Sequence, residues 1–96
     1  MTPFDLLPAI KSVFGLTIAD ITGRSRSDDV NYARRVYVYI LLNDFSLSVD
    51  GVASLIKRDS TSVYWYKNNM DGWVKWDKKF AELLKSVKYQ ANNLQM

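Results

Sequence analysis

The chain has 96 residues, of which 48% are hydrophobic and 24% charged; the formal net charge is +3 and the pI about 9.2. That length fits one domain, residues 1 to 96, with room for a single core. The absence of cysteine and histidine excludes disulfides, thiolate nucleophiles, Cys/His zinc sites and histidine-based triads.

The carboxylates are scattered, mostly at positions suited to helix caps, so no catalytic residue, metal ligand, cofactor or small-molecule substrate is expected. The longest wholly apolar run, "VYVYILL", is far short of the roughly 20 residues of a membrane span. Asp5 interrupts the apolar N-terminal stretch and no basic leader precedes it, so a cytoplasmic protein without membrane contact is expected. Two prolines and four glycines leave long unbroken stretches, which favours an all-α bundle of about five to six helices over a sandwich.

In "PFDLLPAIKSVF", Leu6, Leu7, Ile10, Val13 and Phe14 recur at helical spacing. Pro8 is tolerated in a first turn, which puts the helix start near Leu7, and Gly15 ends it. "TIADI" reads as one helical turn capped by Thr17. "TGRSRS" has no apolar residue and is a solvent loop. The next segment, "SDDVNYARRVYVYILLNDF", contains the strand-like alternation "VYVYI". Ser27 followed by two aspartates is nevertheless a helix start, and Val30, Ala33, Tyr37, Ile40 and Leu41 share one helical face. A long, largely buried helix over about 28 to 45 is expected.

Beyond it, Ser48 can cap a short helix with Val49, Val52, Ala53 and Ile56 inward. "KRD" makes a turn, and Ser60 or Asp59 caps a second helix with Val63, Tyr66 and Met70 at helical spacing. Two helices joined by a tight turn form a helix-turn-helix pattern. The three aromatics Tyr64, Trp65 and Tyr66 are expected to lie mostly on the inner wall. "DGWVKW" reads as a connector stopped at Gly72. "DKKFAELLKSVKYQANNL" is an amphipathic helix with Phe80, Leu83, Leu84 and Val87 inward and lysines outward.

Cations fall in three groups: Arg24, Arg26, Arg34 and Arg35; Lys57 and Arg58; and the lysines between 75 and 88. The second group immediately precedes a helix start rich in hydroxyls. Backbone N–H groups, hydroxyls and arginines on one side suit phosphate oxygens and base edges.

Four stretches in this order resemble the C-terminal DNA-binding domain, domain IV, of the bacterial replication initiator DnaA, over about Ile10 to Val87. They are "IKSVFGLTIADITGRSRS", "VNYARRVYVYIL", "RDSTSV" and "DKKFAELL". The third is similar to the family signature R-D-H-T-T-V. It departs at Ser60, where the family has histidine, and Lys57 replaces a glycine pair with one residue fewer. Tyr37 stands where a small alanine is usual.

The resemblance implies a helix-turn-helix that binds double-stranded DNA. Arg26 would enter the minor groove, while Asp59, Ser60 and Thr61 would read bases in the major groove. Arg24, Arg34, Ser48, Lys57, Arg58 and Ser62 would hold phosphates. No G-x-x-x-x-G-K-[ST] motif is present, so the expectation is a DNA-binding module without the ATPase, serving replication or transcription, for instance on a phage or mobile element, and associated with the nucleoid. The alternative is a protein-interaction module on the same scaffold that has lost DNA binding, with Trp73 and Trp76 as an anchor for a protein partner.

Overall fold

Caps and breakers in the sequence fall where the chain turns, with one exception. The computed structural model describes residues 5 to 23 and 27 to 94. Among these it forms six helices and no strand: α1 (Leu6–Phe14), α2 (Ile18–Thr22), α3 (Asp28–Asn43), α4 (Val49–Ile56), α5 (Ser60–Trp76) and α6 (Lys78–Leu94). The fold is an all-α bundle. No described helix is long and apolar enough to cross a membrane.

The local chemistry accounts for each boundary. Gly15 takes the left-handed conformation (φ 72°) and its N–H closes α1 on the Lys11 carbonyl. Thr17 and Asp20 form a capping box over α2. The Ser27 hydroxyl accepts from the Val30 N–H at the start of α3, with Asp28 and Asp29 in the first turn. Asp77 separates α5 from α6: one carboxylate oxygen accepts from Phe80 N–H at 3.0 Å and the other from the Tyr32 hydroxyl at 2.9 Å. That second bond ties α3 to the α5–α6 corner and pushes the Tyr32 phenol above its ordinary pKa.

α3 is the central element, packed against each of the other five helices. Val36, Tyr37 and Val38 are consecutive and all buried, which explains why their sequence alternates like a strand. A helix with neighbours on several sides loses its polar face, and its apolar pattern stops reporting the helical period. Tyr37 and Phe80 are the largest fully buried side chains. Phe80 links the core to the surface aromatics through Tyr39 (centroids 6.0 Å apart) and Trp73 (5.7 Å).

The exception is "DGWVKW". It is the last part of α5, which runs unbroken through Gly72. An interior helical glycine costs about 1 kcal/mol relative to alanine. Burial of Met70 before it and half-burial of Trp73 after it offset that cost, since burying one such side chain yields roughly 1.5–3 kcal/mol. A Cβ added at Gly72 would meet nothing within 4 Å. Gly72→Ala should therefore stabilise the protein by up to about 1 kcal/mol. A raised urea midpoint with an unchanged slope is the expected reading; a lowered midpoint would show that the glycine is required by the fold.

Candidate nucleic-acid interface

The turn between α4 and α5 is built from Lys57, Arg58 and Asp59. Ser48 starts α4 by accepting from the Gly51 N–H at 3.0 Å. At the other end Lys57 adopts the left-handed conformation (φ 56°, ψ 45°). The Lys57 N–H reaches the Ser54 carbonyl and the Arg58 N–H reaches the Ala53 carbonyl, a Schellman closure that glycine usually provides. The departure noted in the sequence thus puts a cation in a glycine conformation, and the Lys57 side chain is exposed.

Asp59, one of the two residues expected to cap α5, is the cap. Its Oδ1 accepts from the Ser62 N–H at 2.9 Å. That bond and a second from the Ser62 side chain hold the Asp59 carboxyl below its ordinary pKa. The Ser60 hydroxyl donates to Oδ1 of Asp50 on α4. Two of the three hydroxyls at the helix tip therefore already donate to carboxylates. Thr61 is exposed, and its hydroxyl has no partner among the described residues.

Arg34 and Arg58 converge on the end of α2. Arg34 Nε donates to the Ile21 carbonyl at 2.7 Å and its Nη2 to the Gly23 carbonyl at 3.2 Å; Nη1 lies 3.4 Å from Asn31 Oδ1. Arg58 Nη1 donates to the Thr22 carbonyl at 3.2 Å, and its Nη2 donates to the same Gly23 carbonyl as Arg34. A five-residue helix leaves carbonyls unpaired at its C-terminus, and two guanidinium groups satisfy them while complementing the negative end of the dipole.

This corrects the expectation of a phosphate contact at Arg34. Only 5% of the residue is exposed, and its role is to hold backbone. Arg58 is half-buried and does the same from the turn. Arg24 and Arg26 lie outside the described residues, but the segment that carries them begins at Gly23, where both guanidiniums meet.

Sequence reasoning placed the α5 aromatics on the inner wall. Tyr66 is half-buried there, but Tyr64 and Trp65 are each about half exposed (52% and 51%). They share the outer face with Thr61 and Asn68. The Arg35 guanidinium lies over three rings, 4.6 Å from the Trp73 centroid, 5.8 Å from Tyr32 and 6.0 Å from Trp65. Arg35 was unassigned in the sequence, and its spacing from Tyr32 on one helix face was the available signal. Of the two tryptophans that the alternative reading would use as an anchor if exposed, Trp73 is half-buried in this cluster and Trp76 is exposed. Among the described residues no group of three carboxylates could hold a metal ion.

Arg34→Met should destabilise the protein by about 1–3 kcal/mol, the cost of leaving buried carbonyls unpaired. Arg34→Lys should recover only part of this in a denaturant titration, because one ammonium group cannot span both carbonyls. The Asp59 carboxyl titrates lower in the folded state than in the unfolded one, so its contribution is complete above the unfolded value, about 3.9. It is lost as pH falls through the folded value. The stability gap between the wild type and Asp59→Asn should accordingly close on acidification from about pH 6 to pH 2.

No protein-family model matches the chain, and a search of curated proteins finds no match.

Proposed function

We propose that the protein binds double-stranded DNA through its helix-turn-helix, with the tip of α5 in the major groove and the Arg24–Arg26 segment at the adjacent minor groove. One observation carries this reading. Hydrogen bonds from Arg58 to the Thr22 and Gly23 carbonyls fix the root of the basic segment against the turn that precedes α5. The two features that the resemblance to DnaA domain IV assigns to neighbouring grooves are therefore neighbours at their roots.

Within this reading the residues divide by role. Lys57 and Ser48, both exposed, hold phosphates, as would Arg24. Ser62, through its hydroxyl oxygen, takes a donor rather than a phosphate. Arg34 and Arg58 are positioning residues. Asp59 and Ser60 present acceptors, because their nearby donors are already engaged. Acceptors in the major groove suit the amino groups of cytosine and adenine. Thr61, whose hydroxyl has no partner among the described residues, also offers a methyl group, which suits a thymine methyl or a base edge. Arg26 reads the minor groove through its negative potential. The module carries no ATPase motif, and regulation of replication or transcription by occupancy of a site is the process it fits.

The rival reading, a protein-interaction module, draws support from the same tip: Asp50 and Asp59 place two carboxylates where phosphates would approach. Fluorescence anisotropy on duplexes separates the two. Duplex DNA should bind at about 50 mM salt and release steeply as salt rises. Lys57→Ala should weaken all sequences alike and lower the salt slope by about 1. Thr61→Ala should cost about 1–3 kcal/mol on a selected site and relax one base position. Absence of binding at low salt, or a Lys57→Ala/Arg26→Ala protein that binds as the wild type does, would favour the rival.

A further inference from the structure

The far end of α5 carries a second surface that duplex reading does not use. Trp76 is 85% exposed, the most exposed of the large apolar side chains among the described residues. It lies about 24 Å along the helix from Ser60, at 1.5 Å per residue. Trp65 is on the same face, within about 20° of Trp76 around the axis and about 16 Å away. Between them the face holds Asn69, exposed, and Gly72, where a Cβ would meet nothing within 4 Å.

Lys75, Lys78 and Lys79 flank Trp76, all exposed. Among the described residues none of them has a carboxylate within ion-pair distance, whereas Lys88 does, at 3.5 Å from Asp44. Asp77, their nearest acid in sequence, is held by Tyr32 and by the Phe80 N–H. Lys79 Nζ lies 4.9 Å from the Tyr32 ring centroid.

We infer that this face binds single-stranded nucleic acid, with Trp76 and Trp65 as stacking platforms and the three lysines along the phosphates. Such binding needs solvent-exposed rings for bases to stack on and nearby cations to track the backbone; Trp76 is 85% and Trp65 51% exposed. The rings are held apart on one helix, Trp65 is backed by Trp73 at 5.6 Å, and the open notch at Gly72 leaves room for a nucleotide to lie against the backbone. A protein-docking face would call for a continuous apolar centre depleted of charge. Here polar or absent side chains separate the rings, and exposed lysines adjoin the outer one in sequence.

The test is titration with a twelve-nucleotide oligothymidylate at low salt, read by tryptophan quenching and by anisotropy of the labelled strand. Binding should quench emission, and Trp76→Ala should weaken it roughly tenfold, the effect of losing one stacked base. Trp76→Phe should retain most of the affinity. Lys78→Gln with Lys79→Gln should lower the salt slope by about 1.4, at about 0.7 per phosphate contact. Trp76 is so exposed that its replacement should leave the fold intact, which a thermal melt checks. Duplex affinity should be unchanged in these variants, and Lys57→Ala should leave oligothymidylate binding intact, so the two surfaces fail separately. No binding at low salt, or equal binding by Trp76→Ala, would overturn the inference. Quenching by an acidic glutamate–leucine helical peptide but not by oligothymidylate would also overturn it and mark the face as a protein-docking surface.

Discussion

The Gly23 carbonyl oxygen receives hydrogen bonds from two guanidinium groups, and the candidate interface is assembled around that point. Arg34 comes from the central helix and Arg58 from the turn between α4 and α5, so one oxygen joins the scaffold, the end of α2 and that turn. Two like charges this close repel. The arrangement holds because the carbonyls at the end of α2 present the negative ends of their dipoles together, and because the planar guanidinium places several donors at fixed angles. Lysine would supply the charge but not the fork. The identity of both residues is therefore set by backbone geometry before any ligand is considered.

That constraint changes what the basic composition of the region means. Arg34 and Arg58 count towards the positive field near the turn, but their donors serve carbonyls. In the proposed reading they raise local potential without touching phosphate, and the contacts fall to the exposed Lys57 and to the segment beginning at Gly23. The tip itself is mixed in sign: Asp50 and Asp59 accept hydrogen bonds from the hydroxyls of Ser60 and Ser62, which orders the tip and leaves it rich in acceptors. In the proposed reading such a surface would gain affinity from its cationic rim and select among bases with its acceptors, as positioning and readout are separated in DNA recognition.

Most boundaries were legible in the sequence because they depend on chemistry within a few residues. The Thr17, Ser27 and Ser48 caps and the Gly15 stop are each a local hydrogen-bonding arrangement that the sequence spells out. The burial of Arg34 was not legible. It follows from the approach of α2, and nothing near position 34 announces that its partner is a carbonyl eleven or more residues earlier. Gly72 misled for the opposite reason: its local signal was correct, and the burial around it was worth more than the glycine cost. The aromatics at 64 to 66 are adjacent, and a helix sends adjacent side chains in directions about 100° apart. Only one of the three could face the core fully, so the composition of the run indicated burial that the geometry could not deliver.

The continuity of α5 has a consequence for the whole molecule. A break at Gly72 would have left a short α5 and a loose tryptophan corner. With the break absent, one continuous helix joins the tip near Asp59 to the corner at Asp77. The corner is fixed in turn by the Tyr32 hydroxyl and by the Arg35 guanidinium against Trp73, both carried on α3. α3 also carries Arg34, so the same helix anchors both ends of α5, one through the carbonyls of α2 and the other through the aromatic cluster. A displacement of α3 along its axis would have to break both attachments together. The tip and the tryptophan face are thereby held at a fixed separation by packing, with no flexible segment of α5 between them to absorb a change at either end.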